Sequence, residues 1–133
     1  MFEMRLAGEE KIDKLVLDFD TETKQELVTV HKELVKHLKP HQAQGIKFMW
    51  DACFESLERV KTTSGSGCII AHCMGLGKTL QVITLTHTLL THEATNVKTV
   101  LVVCPLSTVL NWRNEYNTWL KDLDDFEVYE LTK

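Results

Sequence analysis

An α/β fold with a parallel sheet flanked by helices is what this sequence predicts, and three observations carry the prediction. From Cys68 onward the chain alternates strand, loop, helix, strand, helix, strand, the pattern of a parallel sheet with crossover helices. Val100–Cys104 is an unbroken apolar run of strand length, as expected of a strand covered on both faces. A glycine-containing turn, His72–Thr79, joins the apolar run Cys68–Ala71 to a helical pattern. It therefore lies at the carboxyl end of a strand, where ligands bind in such sheets.

In chain order, residues 1–11 read as a polar start. Lys14–Phe19 and Glu26–Val30 are apolar, β-branched runs on either side of Asp20-Thr21-Glu22-Thr23-Lys24, which predicts a hairpin or two short strands. His31–Lys39 is assigned a short helix closed by Pro40. Ile46, Met49, Trp50, Cys53, Phe54, Leu57 and Val60 then recur at helical steps, predicting one amphipathic helix of about twenty residues and on the order of 30 Å. Pro40 suits its first turn, where an N–H has no partner anyway. The polar run 61–67 breaks it and leads into the strand Cys68–Ala71. Thr79–His92 is predicted helical, with Leu80, Ile83 and Leu90 toward the sheet, and Thr95–Lys98 turns the chain. Pro105 ends the strand Val100–Cys104, and Leu106–Leu120 returns to helical spacing through Leu110, Trp112, Tyr116 and Trp119, whose period predicts core packing. Asp122–Asp125 reads as an acidic turn before a last strand, Phe126–Leu131.

Length and composition bound the function. At 133 residues, 44% hydrophobic and 26% charged, the chain suits one ordinary globular domain or part of one. No apolar run reaches bilayer length, and the N-terminus lacks a basic-then-apolar signal pattern, so a cytosolic or nuclear protein is expected. The cysteines, Cys53, Cys68, Cys73 and Cys104, show no CxxC spacing, and reduced thiols are expected over disulfides or zinc. The net charge of −4 argues against a free-standing nucleic-acid module held by bulk electrostatics. By segment the charge is −3 over 1–37, +2 over 38–100 and −3 over 101–133. The stretch around the glycine turn is thus the net-positive one, which suits a triphosphate.

His72-Cys73-Met74-Gly75-Leu76-Gly77-Lys78-Thr79 has the parts of a phosphate loop. Gly75 and Gly77 allow backbone angles that let consecutive N–H groups converge on one anion. Lys78 would place a point charge on the β- and γ-phosphates of ATP, and the Thr79 hydroxyl would ligate Mg²⁺. The helix that follows adds the partial positive charge of its N-terminus. The run departs from GxxxxGK[ST], because His72 stands at the first glycine position. Read alone, it is also compatible with an ordinary turn between strand and helix.

Three runs in order, Leu38-Lys39-Pro40-His41-Gln42 with Gly45, Met74–Thr79, and Leu101–Pro105 with Asn111-Trp112 and Glu115, resemble the opening motifs of SWI/SNF-type ATPases of helicase superfamily two. The resemblance covers roughly residues 15–121. Most of that family has Asp-Glu where His72-Cys73 stand, and Ala71–Gly75 looks like the ATRX-like branch of chromatin remodellers. The resemblance implies a nuclear double-stranded DNA translocase acting on nucleosomes, with residues 38–133 as the N-terminal part of a RecA-like, P-loop, ATP-binding lobe and 1–37 as an extension.

It implies further that Gln42 reads the adenine edge, although taken alone Gln42 reads better as a solvated polar residue of the first helical turn. Lys78 and Thr79 carry over as the catalytic phosphate and Mg²⁺ contacts. Pro105-Leu106-Ser107-Thr108 matches the family segment that touches one DNA strand, with Pro105, Ser107 and Thr108 as contact candidates; Ser107 equally reads as a helix cap. His72 either protonates beside the triphosphate or packs at the strand end. The family's Mg²⁺-binding carboxylates and second lobe are not found within the 133 residues, so the expectation is a fragment that holds nucleotide without hydrolysing it. The competing expectation is a truncated, non-catalytic nucleotide-binding or interaction module. A small nucleotide kinase or GTPase ranks behind both, because Gln42 precedes the loop within a family-like block.

Overall fold

In the computed structural model, which describes residues 12–71, 77–123 and 127–131, the predicted hairpin forms first. Strands β1 (Val16–Phe19) and β2 (Glu26–Thr29) pair antiparallel, with Val16 opposite Thr29 and Phe19 opposite Glu26. Asp20 closes the turn between them: its Oδ1 accepts from the backbone N–H groups of Glu22 (2.8 Å) and Thr23 (3.1 Å). Those two bonds favour the ionised carboxylate and hold the Asp20 pKa below its ordinary value. Lys24, at φ 64°, completes the reversal. Alternation then drives Leu15, Leu17, Val28 and Val30 into the core.

The predicted 31–39 helix is a single turn, α1 (Lys32–Val35), whose first N–H groups are capped by His31 Nδ1 accepting from Glu33 N. Helix α2 (Pro40–Cys53) begins on Pro40 as predicted and buries Ala43, Ile46, Met49 and Trp50.

It does not run on through Val60. Phe54 ends it, Glu55 takes the left-handed region at φ 69°, and a separate helix α3 (Leu57–Thr62) starts from Ser56. Tertiary bonds override the helical period here. Trp50 Nε1–H donates to Glu55 O (3.1 Å), Leu57 N–H donates to Asp18 Oδ2 on the hairpin (2.9 Å), and Ser56 Oγ accepts from Arg59 N (3.1 Å). Breaking the helix gives partners to three side chains, the Trp50 indole, the Asp18 carboxylate and the Ser56 hydroxyl.

Helix α4 (Lys78–Thr91) follows the glycine turn and packs against α2 on one side and against α5 (Val109–Leu120) on another. Enclosed on several sides, it buries Leu80, Ile83, Leu85 and Leu89, while Leu90 is only half-buried. It also buries a polar row, in which Thr86 and Thr88 bond back one turn, Thr86 Oγ1 to Ile83 O (3.1 Å) and Thr88 Oγ1 to Thr84 O (2.9 Å), while Thr84 Oγ1 has no partner. Glu93–Thr95 is a 3₁₀ turn ending in Asn96 at φ 58°.

A second 3₁₀ turn, Leu106–Thr108, precedes α5. On α5, Tyr116 is buried with its hydroxyl 2.8 Å from Thr86 Oγ1. Trp112 and Trp119 are partly buried against the same core, in line with the core reading of that aromatic row.

The parallel sheet is the part of the expectation that the described residues do not contain. Their strands are β1 and β2 alone; 68–71, 100–104 and 127–131 belong to no helix or strand and have no ladder partners. The period of two is nevertheless visible in them. Ile70, Val102 and Val128 pack against the core, while Ile69 (83% exposed), Leu101, Val103 (86% exposed) and Leu131 point to solvent. One face of the three segments is covered by protein and the other is bare. An extended segment gains its ladder bonds only when a neighbour lies alongside.

Candidate functional site

The site is built where α2 and α4 begin. Gly77 is the residue before α4, at φ 87° and ψ 4°, a left-handed conformation that side chains with a Cβ rarely adopt. Its carbonyl already accepts from Gln81 N (3.0 Å). A side chain there would also have to displace Gln42. A Cβ built on Gly77 would fall 1.8 Å from Gln42 Nε2 and 2.8 Å from Gln42 Cδ.

Gln42, 7% exposed, comes from the first turn of α2, where its Oε1 accepts from Lys39 N (2.8 Å) and so caps that helix. Its two ends are thus committed differently. The carbonyl end is tied to the start of α2, and the NH₂ end lies against the glycine that starts α4. Two of the residues named from sequence, 35 positions apart, meet at one point.

Lys78 and Thr79 occupy the first turn of α4, both half-buried. Among the described residues no salt bridge engages Lys78. The N-terminus of a 14-residue helix, a left-handed glycine and an uncommitted ammonium form a donor set suited to phosphate oxygens. His72, Cys73, Met74, Gly75 and Leu76, named as the rest of the loop, lie outside the described residues.

The 105–108 segment stands apart. Pro105, Leu106 and Ser107 are exposed. Thr108 turns its hydroxyl back onto Pro105 O (2.8 Å), and the residue before α5 is Thr108, with no side-chain cap. Ser107 therefore does not cap α5, and its hydroxyl faces outward from an exposed turn.

One residue escaped the sequence reading. Gln81, one turn into α4 from Lys78, is 1% exposed, and neither its Oε1 nor its Nε2 has a hydrogen-bond partner. Two unsatisfied amide atoms buried together are unusual in a native interior. The available signal was a glutamine on the Leu80–Ile83 face of an otherwise apolar pattern.

Residues 41–133 match the profile of the SNF2-related domain. The chain belongs to the SNF2-related domain family. Within the SNF2 family it is ATRX-like. It is 56% identical over 126 residues to the transcriptional regulator ATRX homolog of Drosophila melanogaster, covering 92% of this chain and 10% of that protein. To human transcriptional regulator ATRX it is 55% identical over 120 residues, covering 90% of this chain and 5% of the relative. To the mouse helicase ARIP4 it is 45% identical over 115 residues, covering 86% and 8%. The chain thus spans a tenth or less of the length of these SNF2 relatives.

Proposed function

We propose that this chain carries the nucleotide-holding opening of an ATP-driven double-stranded DNA translocase, a nuclear remodeller of nucleosomes. The meeting of Gln42 with Gly77 at the N-terminus of α4 is the observation that carries this reading. It joins a base-reading amide to a phosphate-holding helix start, which is what recognition of a whole nucleotide requires.

In this reading His72–Thr79 forms the loop, Lys78 neutralises the β- and γ-phosphates, and the Thr79 hydroxyl is the protein's ligand to Mg²⁺. Bound ATP supplies the phosphoryl group and its charge. The protein's part is to orient it, with Gln42 reading the adenine edge through a carbonyl that has a second lone pair beyond its bond to Lys39. Pro105, Ser107 and Thr108 are assigned to one DNA strand, since an exposed turn with an outward hydroxyl can hold a backbone phosphate. Residues 38–133 are assigned to the RecA-like lobe and 1–37 to its extension. The extended segments 68–71, 100–104 and 127–131 are assigned to the lobe's parallel sheet.

The chain by itself is expected to bind ATP without turnover, since phosphoryl transfer needs carboxylates and arginines beyond those assigned here. The test is titration of the chain with a fluorescent ATP analogue, with GTP and CTP as competitors. ATP should displace the probe better than either, and Lys78→Ala should weaken binding at least tenfold. Equal competition by all three nucleotides, no effect of Lys78→Ala, or DNA-stimulated hydrolysis by the chain alone would each overturn a stated part.

The second reading, a non-catalytic interaction module, is favoured by the bare apolar face at Ile69, Leu101, Val103 and Leu131. An unchanged affinity for a protein partner after Lys78→Ala, together with absent nucleotide binding, would select it.

A further inference from the structure

Away from the glycine turn's phosphate-facing end, two thiols meet. Cys53, the last residue of α2, and Cys68, in the extended segment leading to the turn, have their sulfurs 3.6 Å apart, and both are free. Among the described residues this is the one sulfur–sulfur contact. A close backbone approach produces it. Gly65 sits at φ 77° with its Cα so near the end of α2 that an added Cβ would fall 2.5 Å from the Cys53 carbonyl oxygen. That turn returns the chain to α2 and sets Cys68 beside Cys53. A recess of about 140 Å³, lined by Cys53, Phe54, Glu55, Thr63, Gly65 and Ser66, opens beside the pair, and Cys68 is itself exposed. A small oxidant can reach the exposed Cys68, and Cys53 lies half-buried beside it.

We propose that Cys53 and Cys68 form a modification site, a dithiol that is oxidised by peroxide to a disulfide and restored by thiol reductants. The Cys68 thiolate attacks one peroxide oxygen, the O–O bond breaks, and the departing hydroxide takes a proton to leave as water; Cys68 becomes a sulfenic acid. Cys53 gives its proton to solvent and attacks the Cys68 sulfur, the S–O bond breaks, and a second water leaves. Two thiols and one hydrogen peroxide become one disulfide and two waters, with two electrons passing from sulfur to peroxide. The environments set the order. Burial first, then the hydrogen bond and charge of Cys68, push the Cys53 thiol up to about 11, so Cys53 stays protonated and the exposed Cys68 attacks first. Bond formation shortens the sulfur separation from 3.6 Å to about 2 Å. The cross-link would anchor α2 to the segment entering the turn, with Ile69–Ala71 between the tether and His72. It stands independently of nucleotide binding.

The test is oxidation of the whole chain with graded hydrogen peroxide, followed by alkylation and peptide mapping by mass spectrometry. The expected product is a peptide linking Cys53 to Cys68, lighter by two hydrogens and reversed by dithiothreitol. Cys68→Ser, with unchanged circular dichroism, should abolish it. A second measurement needs no oxidant: phenylarsine oxide, which bridges paired thiols, should bind the reduced chain one to one and protect both residues from alkylation. Oxidation that stops at sulfenic or sulfinic Cys68 with Cys53 still alkylatable would overturn the proposal. So would linkage of Cys68 to Cys73 or Cys104 in place of Cys53.

Discussion

Gly77 and Gln42 constrain each other, and the constraint is measurable. Gly77→Ala forces a Cβ into a left-handed position, at a cost of roughly 1–2 kcal/mol, and drives it into the Gln42 amide as well. The expected outcome is a lower urea midpoint for Gly77→Ala, partly recovered in Gly77→Ala combined with Gln42→Ala, because the double variant removes the clash and keeps the backbone strain. A pair of strictly additive changes would show that the two residues do not touch. Gln81 gives the opposite sign. Its amide atoms are buried without partners, so Gln81→Met should stabilise the chain by about 1 kcal/mol, read as a rise in thermal midpoint. Asp20 belongs at this scale too. Two backbone N–H groups lower its pKa from the ordinary 3.8, so its contribution is complete above that value and is lost as pH falls below it toward the folded-state pKa. Asp20→Ala should therefore lower stability at neutral pH and flatten its decline under acid, measured as thermal midpoints between pH 2 and 7.

Elements are decided by which polar groups find partners as well as by which side chains are apolar. The run from Pro40 to Val60 has the period of one helix, yet Glu55 sits at φ 69° between two. Glu55→Gly separates these cases by sign. In a continuous helix glycine costs about 1 kcal/mol, whereas at a left-handed position it relieves strain of similar size. The expected result is a chain of equal or greater stability, since the Arg59–Glu55 ion pair that is lost is an exposed one. The hairpin depended less on distant partners. Its turn residues carry their own bonding, with Asp20 accepting from the residues two and three ahead, and short-range chemistry of that kind is written in consecutive residues. Helix α4 shows the reverse: its start at Lys78 follows from Gly77, but its burial on several sides comes from α2 and α5, which are distant in the chain.

For the whole molecule the dominant feature is an apolar face that nothing among the described residues covers. Ile69, Leu101, Val103 and Leu131 lie on extended segments with their alternate side chains packed inward. Unpaired extended edges with exposed apolar side chains associate readily. Leu101→Glu with Val103→Glu is expected to reduce concentration-dependent association in sedimentation experiments while leaving helix content unchanged. Equal association by the variant would place the adhesive surface elsewhere. Among the described residues the hairpin is the one sheet formed: it pairs two runs seven residues apart, whereas parallel pairing requires strands brought together by long crossovers.

The sequence by itself determined the hairpin and its turn, the start of α2 at Pro40, the helix after the glycine turn, the helical run into Leu120, and membership of the SNF2-related family in its ATRX-like branch. These are properties of neighbouring residues and of motif order, which need no knowledge of distance in space. Tertiary structure alone decided that Gln42 lies against Gly77, that Gln81 is buried without partners, that a twenty-residue period is cut at Glu55, and that Cys53 faces Cys68. Each of those depends on groups far apart in the chain arriving at the same place. What joins them there is the burial of shared apolar surface and the satisfaction of polar groups, which act through space and leave no period in the sequence.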